Sequence, residues 1–405
     1  MQINCRGMVK KICIVVIFTT LLFLMCLESL SDNVYVQFLL KHIDELMTLI
    51  ILAYCFCNYR IVMREKSYLI VLVGVFMLMG GLSSILYHYQ GIVPTVLDAF
   101  LLVDRFILGY LGIIVYSYSR NETITDSLLW ISKIITVILF LLDMHDIIFS
   151  PFFEKADFRY FMYGLQLMFP HATYLAAASV TLLIFLGYKN RNKENLKYMI
   201  MISIVGMSTL RGKALGFFAI YWIIYIIVKY IKFKNNTVIY IIATAMLLFV
   251  SKDQLSTNFG QNVGYSPRLI LFKDGIKLMM EHFPFGTGFG SFGSSIAANY
   301  YSPIYERLGY QNNYGMSSEY SGFLTDCFWP TVFAQFGFIG LVFFFLIICY
   351  FLLISIRKLK INRDAGFAML MTIVYLLITS VAESSFFNPT AFLFFILFAV
   401  YEKEL

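Results

Sequence analysis

Long apolar runs, separated by short polar segments, dominate the sequence. A membrane-spanning helix needs about 20 consecutive, mostly apolar residues, and runs of about that length recur along most of the chain. They predict about twelve transmembrane helices, at 12–28, 40–58, 67–87, 94–118, 128–149, 164–187, 196–210, 213–230, 237–250, 329–355, 365–383 and 388–401. The predicted fold class is therefore all-α, a polytopic membrane protein.

One long segment interrupts this pattern. Residues 251–328 are rich in Gly, Tyr, Asn and Ser, and they carry the densest set of polar groups in the chain. Loops of such length usually have a function, and this one shows no sign of a separate soluble domain. We expect three regions: 1–250 with the first nine transmembrane helices, 251–328 as one large loop with an amphipathic helix, and 329–405 with the last three helices.

Composition agrees with a membrane environment. Of the 405 residues, 60% are hydrophobic and 14% are charged, whereas soluble proteins average about 25% charged residues. A soluble fold of this size exposes too much surface to hide so many apolar side chains. A lipid bilayer is therefore the predicted environment, and a nucleic-acid partner is excluded. The cysteines and histidines lack metal-ligand spacing, so no metal and no cofactor is predicted.

Basic residues predict the orientation, because cytoplasmic loops of membrane proteins carry an excess of Lys and Arg. When the N-terminus is placed in the cytoplasm, the loops on that side hold most of the 31 basic residues. Both termini are then cytoplasmic, and the loop 251–328 is extracytoplasmic. The first apolar run follows Arg6, Lys10 and Lys11 without a small-residue cleavage site, so it is expected to remain as an anchor.

A first candidate site is the short turn in MSTLRGKALGFF, between two apolar runs. Arg211 and Lys213 lie in this turn, at the predicted outer face. Two cations in a tight turn suit an anionic ligand, and the planar guanidinium of Arg matches phosphate particularly well. The alternative is that both side chains only reach the lipid headgroups.

A second candidate lies in YSPRLILFKDGIKLMMEHFPFGTGFGSFG. Ser266 followed by Pro267 predicts a helix start, and Arg268 in the first turn is placed where a helix N-terminus favours an anion. Apolar residues then recur at helical spacing, namely Leu269, Phe272, Ile276, Met279, Met280 and Phe283. They predict an amphipathic helix that lies on or dips into the outer face of the membrane. Lys273 and Lys277 fall on the opposite, polar face.

The glycines after this helix match a dinucleotide-binding pattern only by chance. Gly288, Gly290 and Gly293 have the spacing G-x-G-x-x-G, but neither a preceding strand nor a βαβ unit is predicted, and the pattern has meaning only in that context. Two interpretations remain, a flexible turn that ends the helix or backbone amides that approach a ligand.

A third candidate is a set of groups in the loop that could accept a proton. Asp326 and Glu319 precede the span that starts at Trp329 and Pro330. Each acid is either a helix cap or a general base. His282 is the one histidine of the loop and is a further candidate for the base.

Charged residues also occur inside a predicted span. Asp98, Asp104 and Arg105 lie in the run 94–118, and ionisable groups within the membrane are usually functional. Arg105 and Asp104 are therefore candidates for supporting a site from within the membrane. A structural ion pair explains them equally well.

Three motifs together resemble one family, the bacterial polysaccharide polymerases and O-antigen ligases. They are TLRGKALGF, like the family's Arg-bearing turn between two spans; SPRLILFKDGIKLMMEHFPFGTGFGSFG, like its Arg, amphipathic helix, Pro and Gly-rich turn; and TDCFWPTVFAQFGFIG, like its polar residue ahead of a Gly-x-x-Gly span start. The motifs lie in 208–340, and the many spans with one large late loop also fit. The last motif looks more like the polymerases of capsule or exopolysaccharide clusters.

The resemblance implies a metal-independent glycosyltransferase of the bacterial cell membrane. It would transfer a growing glycan from undecaprenyl pyrophosphate to an incoming lipid-linked repeat unit at the outer face. Arg211 and Arg268, with Lys213 beside them, would hold the pyrophosphate, and Asp326 would be the base, with Glu319 and His282 as substitutes. Ligases carry His where this chain has Asp326. The pathway's flippase and chain-length regulator are implied partners.

Two other functions fit the same layout. A flippase or other transporter for lipid-linked glycans also has about twelve spans, but its halves are commonly related by repeats and its polar residues lie near the middle of the bilayer. No internal repeat shows in this chain, whose polar groups concentrate in one external loop. A ligase that attaches the glycan to another acceptor is the third reading, and the sequence alone hardly separates it from a polymerase.

Overall fold

The computed structural model describes residues 15–27, 40, 42–103, 107–119, 125–149, 151–160, 162–190, 193–230 and 265–403. Its helices before the hairpin are α1 (Leu24–Leu27), α2 (Ile43–Cys57), α3 (Tyr59–Tyr87), α4 (Ile92–Val103), α5 (Gly109–Ser119) and α6 (Thr125–Ile148). A hairpin of β1 (Lys155–Arg159) and β2 (Met162–Leu165) precedes α7 (Ala172–Tyr188), α8 (Leu196–Ser208) and α9 (Gly212–Tyr230). The elements after residue 264 are α10 (Pro267–Glu281), α11 (Ser295–Asn299), α12 (Pro303–Arg307), a 3-10 turn (Tyr310–Asn312), α13 (Phe328–Ile361), α14 (Arg363–Ser380) and α15 (Pro389–Lys403).

The described residues are mostly helical, as the apolar runs predict. Five of these helices are long and apolar enough to cross a membrane, namely α3, α6, α9, α13 and α14. Three shorter apolar helices, α4, α7 and α8, accompany them. These helices support a membrane protein, while the number of twelve spans and the orientation stay predictions. The run 237–250 lies outside the described residues.

The predicted sixth span, 164–187, begins too early. Its first residues belong to β2, which pairs antiparallel with β1 through Phe158–Tyr163 and Arg159–Met162. The helix starts only at Ala172, after His171, whose side chain accepts a hydrogen bond from the Thr173 N–H and caps the helix. The average hydropathy of a run does not separate a short apolar strand from a helix end, which explains the error.

The long helix α13 is two helices joined at a glycine. Gly337 has φ 61° and ψ −159°, a backbone conformation that only glycine adopts easily. A Cβ atom at Gly337 would lie 2.4 Å from the Gly286 backbone nitrogen. The two glycines therefore allow the turn after α10 to cross directly over the break in α13.

The amphipathic helix α10 forms as predicted at its start, and a narrow face of it is buried. Ser266 accepts a hydrogen bond from the Leu269 N–H, and Pro267 occupies the first turn. The buried residues are Leu271, Gly275 and Leu278, and Ile276, Met280 and Phe283 are exposed. The reason is close packing on α13, since a Cβ atom at Gly275 would lie 3.0 Å from Pro330.

The described part of the predicted loop has a hydrophobic core of its own, which the sequence did not reveal. Its members come from α10, from the short helices and from the start of α13: Leu271, Leu278, Phe292, Ala297, Ala298, Ile304, Tyr305, Tyr310, Met316, Leu324, Cys327 and Ala334. A separate and larger core unites the long helices. A compact layer therefore rests on one end of the helical bundle.

Candidate functional site

A cavity of about 1240 Å³ lies between this layer and the helical bundle. Its walls come from the hairpin, the starts of α9 and α10, the residues before α13 and the connection between α14 and α15. The charged and titratable lining residues are Asp98, Asp157, Arg159, His171, Arg211, Lys213, Arg268, Asp326 and Glu383. Three of the predicted anion-binding residues and the first candidate base thus line a single cavity.

Arg211 reaches the cavity from the turn between α8 and α9. Its Nη2 lies 3.1 Å from His171 Nε2, and its Nη1 lies 3.4 Å from Asp157 Oδ2. Its Nε is buried and has no hydrogen-bond partner among the described residues. Because unsatisfied buried donors are rare in native proteins and call for an explanation, this guanidinium has capacity for a further acceptor.

The hairpin contributes a second arginine that the sequence reading missed. Arg159 Nη2 lies 3.2 Å from Asp157 Oδ2, the oxygen that also faces Arg211. Two guanidinium groups therefore meet at one carboxylate oxygen on the cavity wall. A carboxylate held between two arginines occupies the kind of position that phosphate oxygens take.

Arg268 and Asp326 form a second ion pair of the cavity lining. Arg268 Nη2 lies 3.2 Å from Asp326 Oδ2, and both side chains are about one-third exposed. Burial raises the pKa of Asp326, although the positive charges of Arg268 and Lys213 act in the opposite direction. A carboxylate whose pKa is raised accepts a proton more readily than an exposed aspartate.

Lys213 is held by the connection between α14 and α15. Its Nζ donates to the Glu383 carboxylate and, at 3.1 Å, to the Ala382 carbonyl oxygen. The Ser384 hydroxyl fixes this connection by donating to the Thr325 carbonyl oxygen at 2.7 Å. Glu383 thereby lies beside the Arg268–Asp326 pair, a place that its isolated position in the sequence did not indicate.

His171 lies between Arg211 and the start of α7. Nε2 faces Arg211, and Nδ1 faces the Thr173 N–H at 3.3 Å. Burial and the neighbouring charge of Arg211 lower the pKa of this histidine. A neutral imidazole accepts at one ring nitrogen and carries a proton on the other. When Nδ1 accepts from the Thr173 N–H, His171 caps the start of α7.

The other candidate bases lie elsewhere. His282 is buried beneath the layer, where Nε2 is 2.8 Å from the Tyr89 hydroxyl and Nδ1 is 3.0 Å from the Leu278 carbonyl oxygen. Glu319 is exposed and does not line the cavity. Asp104 and Arg105 lie outside the described residues, so their predicted support of the site is not addressed.

The Gly-rich turn after α10 is buried, and three of its backbone amides donate hydrogen bonds to side chains of the protein. The Phe289 N–H donates to Ser84 Oγ at 2.8 Å, Gly290 to Asp98 Oδ2 at 2.7 Å and Gly293 to the Tyr305 hydroxyl at 2.7 Å. These bonds leave the three amides engaged, which argues against a ligand cradle. The turn ends the helix and joins the layer to α3 and α4.

Few tyrosines of the predicted loop reach the cavity. Among Tyr265, Tyr300, Tyr301, Tyr305 and Tyr320, only Tyr320 lines it within the described part of the chain. Tyr305 is fully buried and stacks on Tyr310 with ring centroids 5.4 Å apart. Tyr160 and Tyr174, which the sequence did not single out, line the other side.

No protein-family model matches the chain, and no curated protein matches it. The residues and their geometry are therefore the basis for any statement about function.

Proposed function

We propose that the chain is a polysaccharide polymerase of a bacterial cell membrane. It would transfer a growing glycan from undecaprenyl pyrophosphate to the end of an incoming lipid-linked repeat unit. The observation that carries the proposal is the convergence of Arg211, Lys213, Arg268 and Asp326 on one cavity of about 1240 Å³. The same residues stand in the three motifs that resemble the polymerase and ligase family.

The arginines hold the donor pyrophosphate in this proposal. The buried Nε of Arg211 has no partner among the described residues, and Arg159 converges on the same point through Asp157. An arriving pyrophosphate replaces the Asp157 carboxylate between the two guanidinium groups. Fixed cations in a partly closed site stabilise the negative charge that the leaving group gains.

Asp326 acts as the general base on the acceptor. Its carboxylate takes the proton of the attacking sugar hydroxyl, the hydroxyl oxygen bonds to the anomeric carbon, and the bond from that carbon to the pyrophosphate oxygen breaks. The electron pair leaves with the pyrophosphate. In the free protein, Arg268 Nη2 lies 3.2 Å from Asp326 Oδ2. Protonation of Asp326 removes the negative charge that holds Arg268, so Arg268 can then bind the pyrophosphate as negative charge develops on it.

The test compares Arg211→Ala and Arg268→Ala with Arg357→Ala, an exposed arginine near the opposite end of α13. Purified proteins receive synthetic lipid-linked repeat units in EDTA, and polymer formation is measured. Loss of one preorganised donor to a developing anion typically lowers the rate by about 10²–10³-fold, so both site variants should show such a loss and Arg357→Ala should not. Wild-type rates in both site variants at normal protein level would refute the pyrophosphate role.

A deletion strain separates this proposal from a flippase. Without a polymerase, single repeat units still reach the outer face, whereas without a flippase they remain inside. A ligase is separated in vitro by the product, since it forms no polymer from repeat units alone.

A further inference from the structure

A second and shallower cavity of about 380 Å³ lies beside the first, on the outer surface of the layer. It is lined by Gln311, Asn312, Asn313, Tyr314, Gly315, Ser317 and Tyr320. Tyr320 also lines the first cavity, so one side chain marks the border between the two. None of these lining residues is charged, in contrast to the first cavity.

The segment that carries these side chains has fixed supports. Tyr310, directly before the amides, is buried and donates its hydroxyl to Asp274 Oδ2 at 2.8 Å. On the other side, the Tyr301 hydroxyl donates to the Met316 carbonyl oxygen at 3.1 Å. The surface is therefore held in place before any ligand arrives, which reduces the entropic cost of binding.

Gly315 packs this segment against the ring of Phe323. Its φ is 76°, and a Cβ atom there would lie 2.1 Å from the Phe323 ring. The Phe323 N–H donates to the Gly315 carbonyl oxygen at 2.9 Å. These contacts fix the backbone directly after Tyr314.

The exposed side chains of this surface are of the types that bind neutral molecules with many hydroxyl groups. Tyr314 is 72% exposed and Tyr320 is 50% exposed, and their ring centroids are 5.5 Å apart at an angle of 49°. The face of an aromatic ring is electron-rich and attracts the polarised C–H groups of a sugar ring. Amide side chains supply both donors and acceptors for hydroxyl groups.

We propose that this surface is a glycan-binding subsite, at which uncharged sugar residues of the substrate lie against Tyr314 while the anionic end occupies the first cavity. Its assignment to donor or acceptor glycan rests on the proposed polymerase function, but binding of sugar residues by the surface does not. Two cavities of opposite character, joined at Tyr320, match a ligand that is anionic at one end and polyhydroxylated along its length.

The experiment measures binding directly. Oligosaccharides cut from the surface polysaccharide of the strain that encodes the chain are titrated into the full-length protein in nanodiscs, by calorimetry. Tyr314→Ala should weaken binding about tenfold, while Tyr300→Ala, which removes another tyrosine that is 50% exposed but lines neither cavity, should bind like the wild type. Asn312→Ala, at an exposed side chain, is the second variant if Tyr314→Ala does not fold.

Two results overturn the inference: wild-type protein that binds none of the oligosaccharides, or variants at Tyr314 and Asn312 that bind as tightly as the wild type. Arg268→Ala should leave oligosaccharide binding unchanged, because these probes carry no pyrophosphate. Normal polymerisation by the Arg211 and Arg268 variants would refute the polymerase proposal alone, whereas unchanged binding by Tyr314→Ala and Asn312→Ala would refute the subsite alone.

Discussion

Two ion pairs anchor the opposite ends of α9, one to the start of α14 and one to the connection that follows α14. At one end Lys213 pairs with Glu383, and at the other Lys229 pairs with Asp364. The two lysine side chains are similarly exposed, at 16% and 19%. By residue type, burial and helix, the pairs are nearly equivalent.

Their surroundings differ. Lys213 and Glu383 line the large cavity together with Arg211, Arg268 and Asp326, whereas Lys229 and Asp364 do not. The pair at the far end joins α9 to α14. The comparison shows that an ion pair becomes part of a candidate site through the space and charges around it, and that neither its burial nor its chemistry identifies it.

The largest contrast is expected between Asp326→Asn and Asp364→Asn. Under the proposed mechanism, Asp326→Asn removes the base and should lower the transfer rate by about 10²–10⁴-fold. Asp364→Asn weakens a partly exposed ion pair, an interaction usually worth about 0–1 kcal/mol, and should leave the rate per folded molecule unchanged. Single-turnover transfer in nanodiscs and thermal unfolding provide the measurements. Equal rates for the two variants would remove Asp326 from the mechanism.

A smaller contrast is expected between Lys213→Met and Lys229→Met. Lys213→Met removes one of several cations around the cavity, so transfer should fall by roughly 10-fold, about 1.4 kcal/mol of lost transition-state stabilisation. Lys229→Met should slightly lower the melting temperature and leave transfer intact. If the transfer rate falls equally in both variants, the two lysines act through folding. The Lys213–Glu383 pair would then have no special role in transfer.

The smallest expected effect is a shift in the pH dependence of the transfer rate. Only ionised Asp326 accepts a proton, so the transfer rate should decline as the pH falls through its pKa, which burial raises above the usual value of Asp. Lys213 lowers this pKa, so Lys213→Met should move the acid limb to higher pH, by less than about one unit because solvent screens the pair. Lys229→Met serves as the control. An unshifted limb in Lys213→Met would argue against Asp326 as the titrating base.

Helix positions were largely predictable because apolar runs have a direct physical cause. The runs 196–210, 213–230 and 365–383 correspond closely to α8, α9 and α14. Ser266 and Pro267 likewise marked the start of α10, since capping depends only on neighbouring residues. The face of α10 that packs on α13 was not predictable, because several of its faces carry apolar residues and the contact with α13 selected Leu271, Gly275 and Leu278.

The candidate site was predictable only in part. Arg211, Arg268 and Asp326 stood out because charges are scarce next to apolar runs. Arg159 and Asp157 belong to a hairpin that resembled a loop and the start of a span, and Glu383 lies in a short connection without a motif. Their roles depend on proximity across the fold, for which the local sequence carries no signal.

The sequence by itself determined a mostly helical membrane protein, the start of its amphipathic helix and a short set of charged residues beside apolar runs. Local periodicity and hydropathy suffice for these features, since each involves residues that are neighbours in the chain. Only the tertiary structure decided that Arg211, Lys213, Arg268 and Asp326 face one cavity and that His282 does not. Packing between distant segments sets those positions, and Gly337 and Gly286 illustrate it, because their close approach fixes the layer on the bundle.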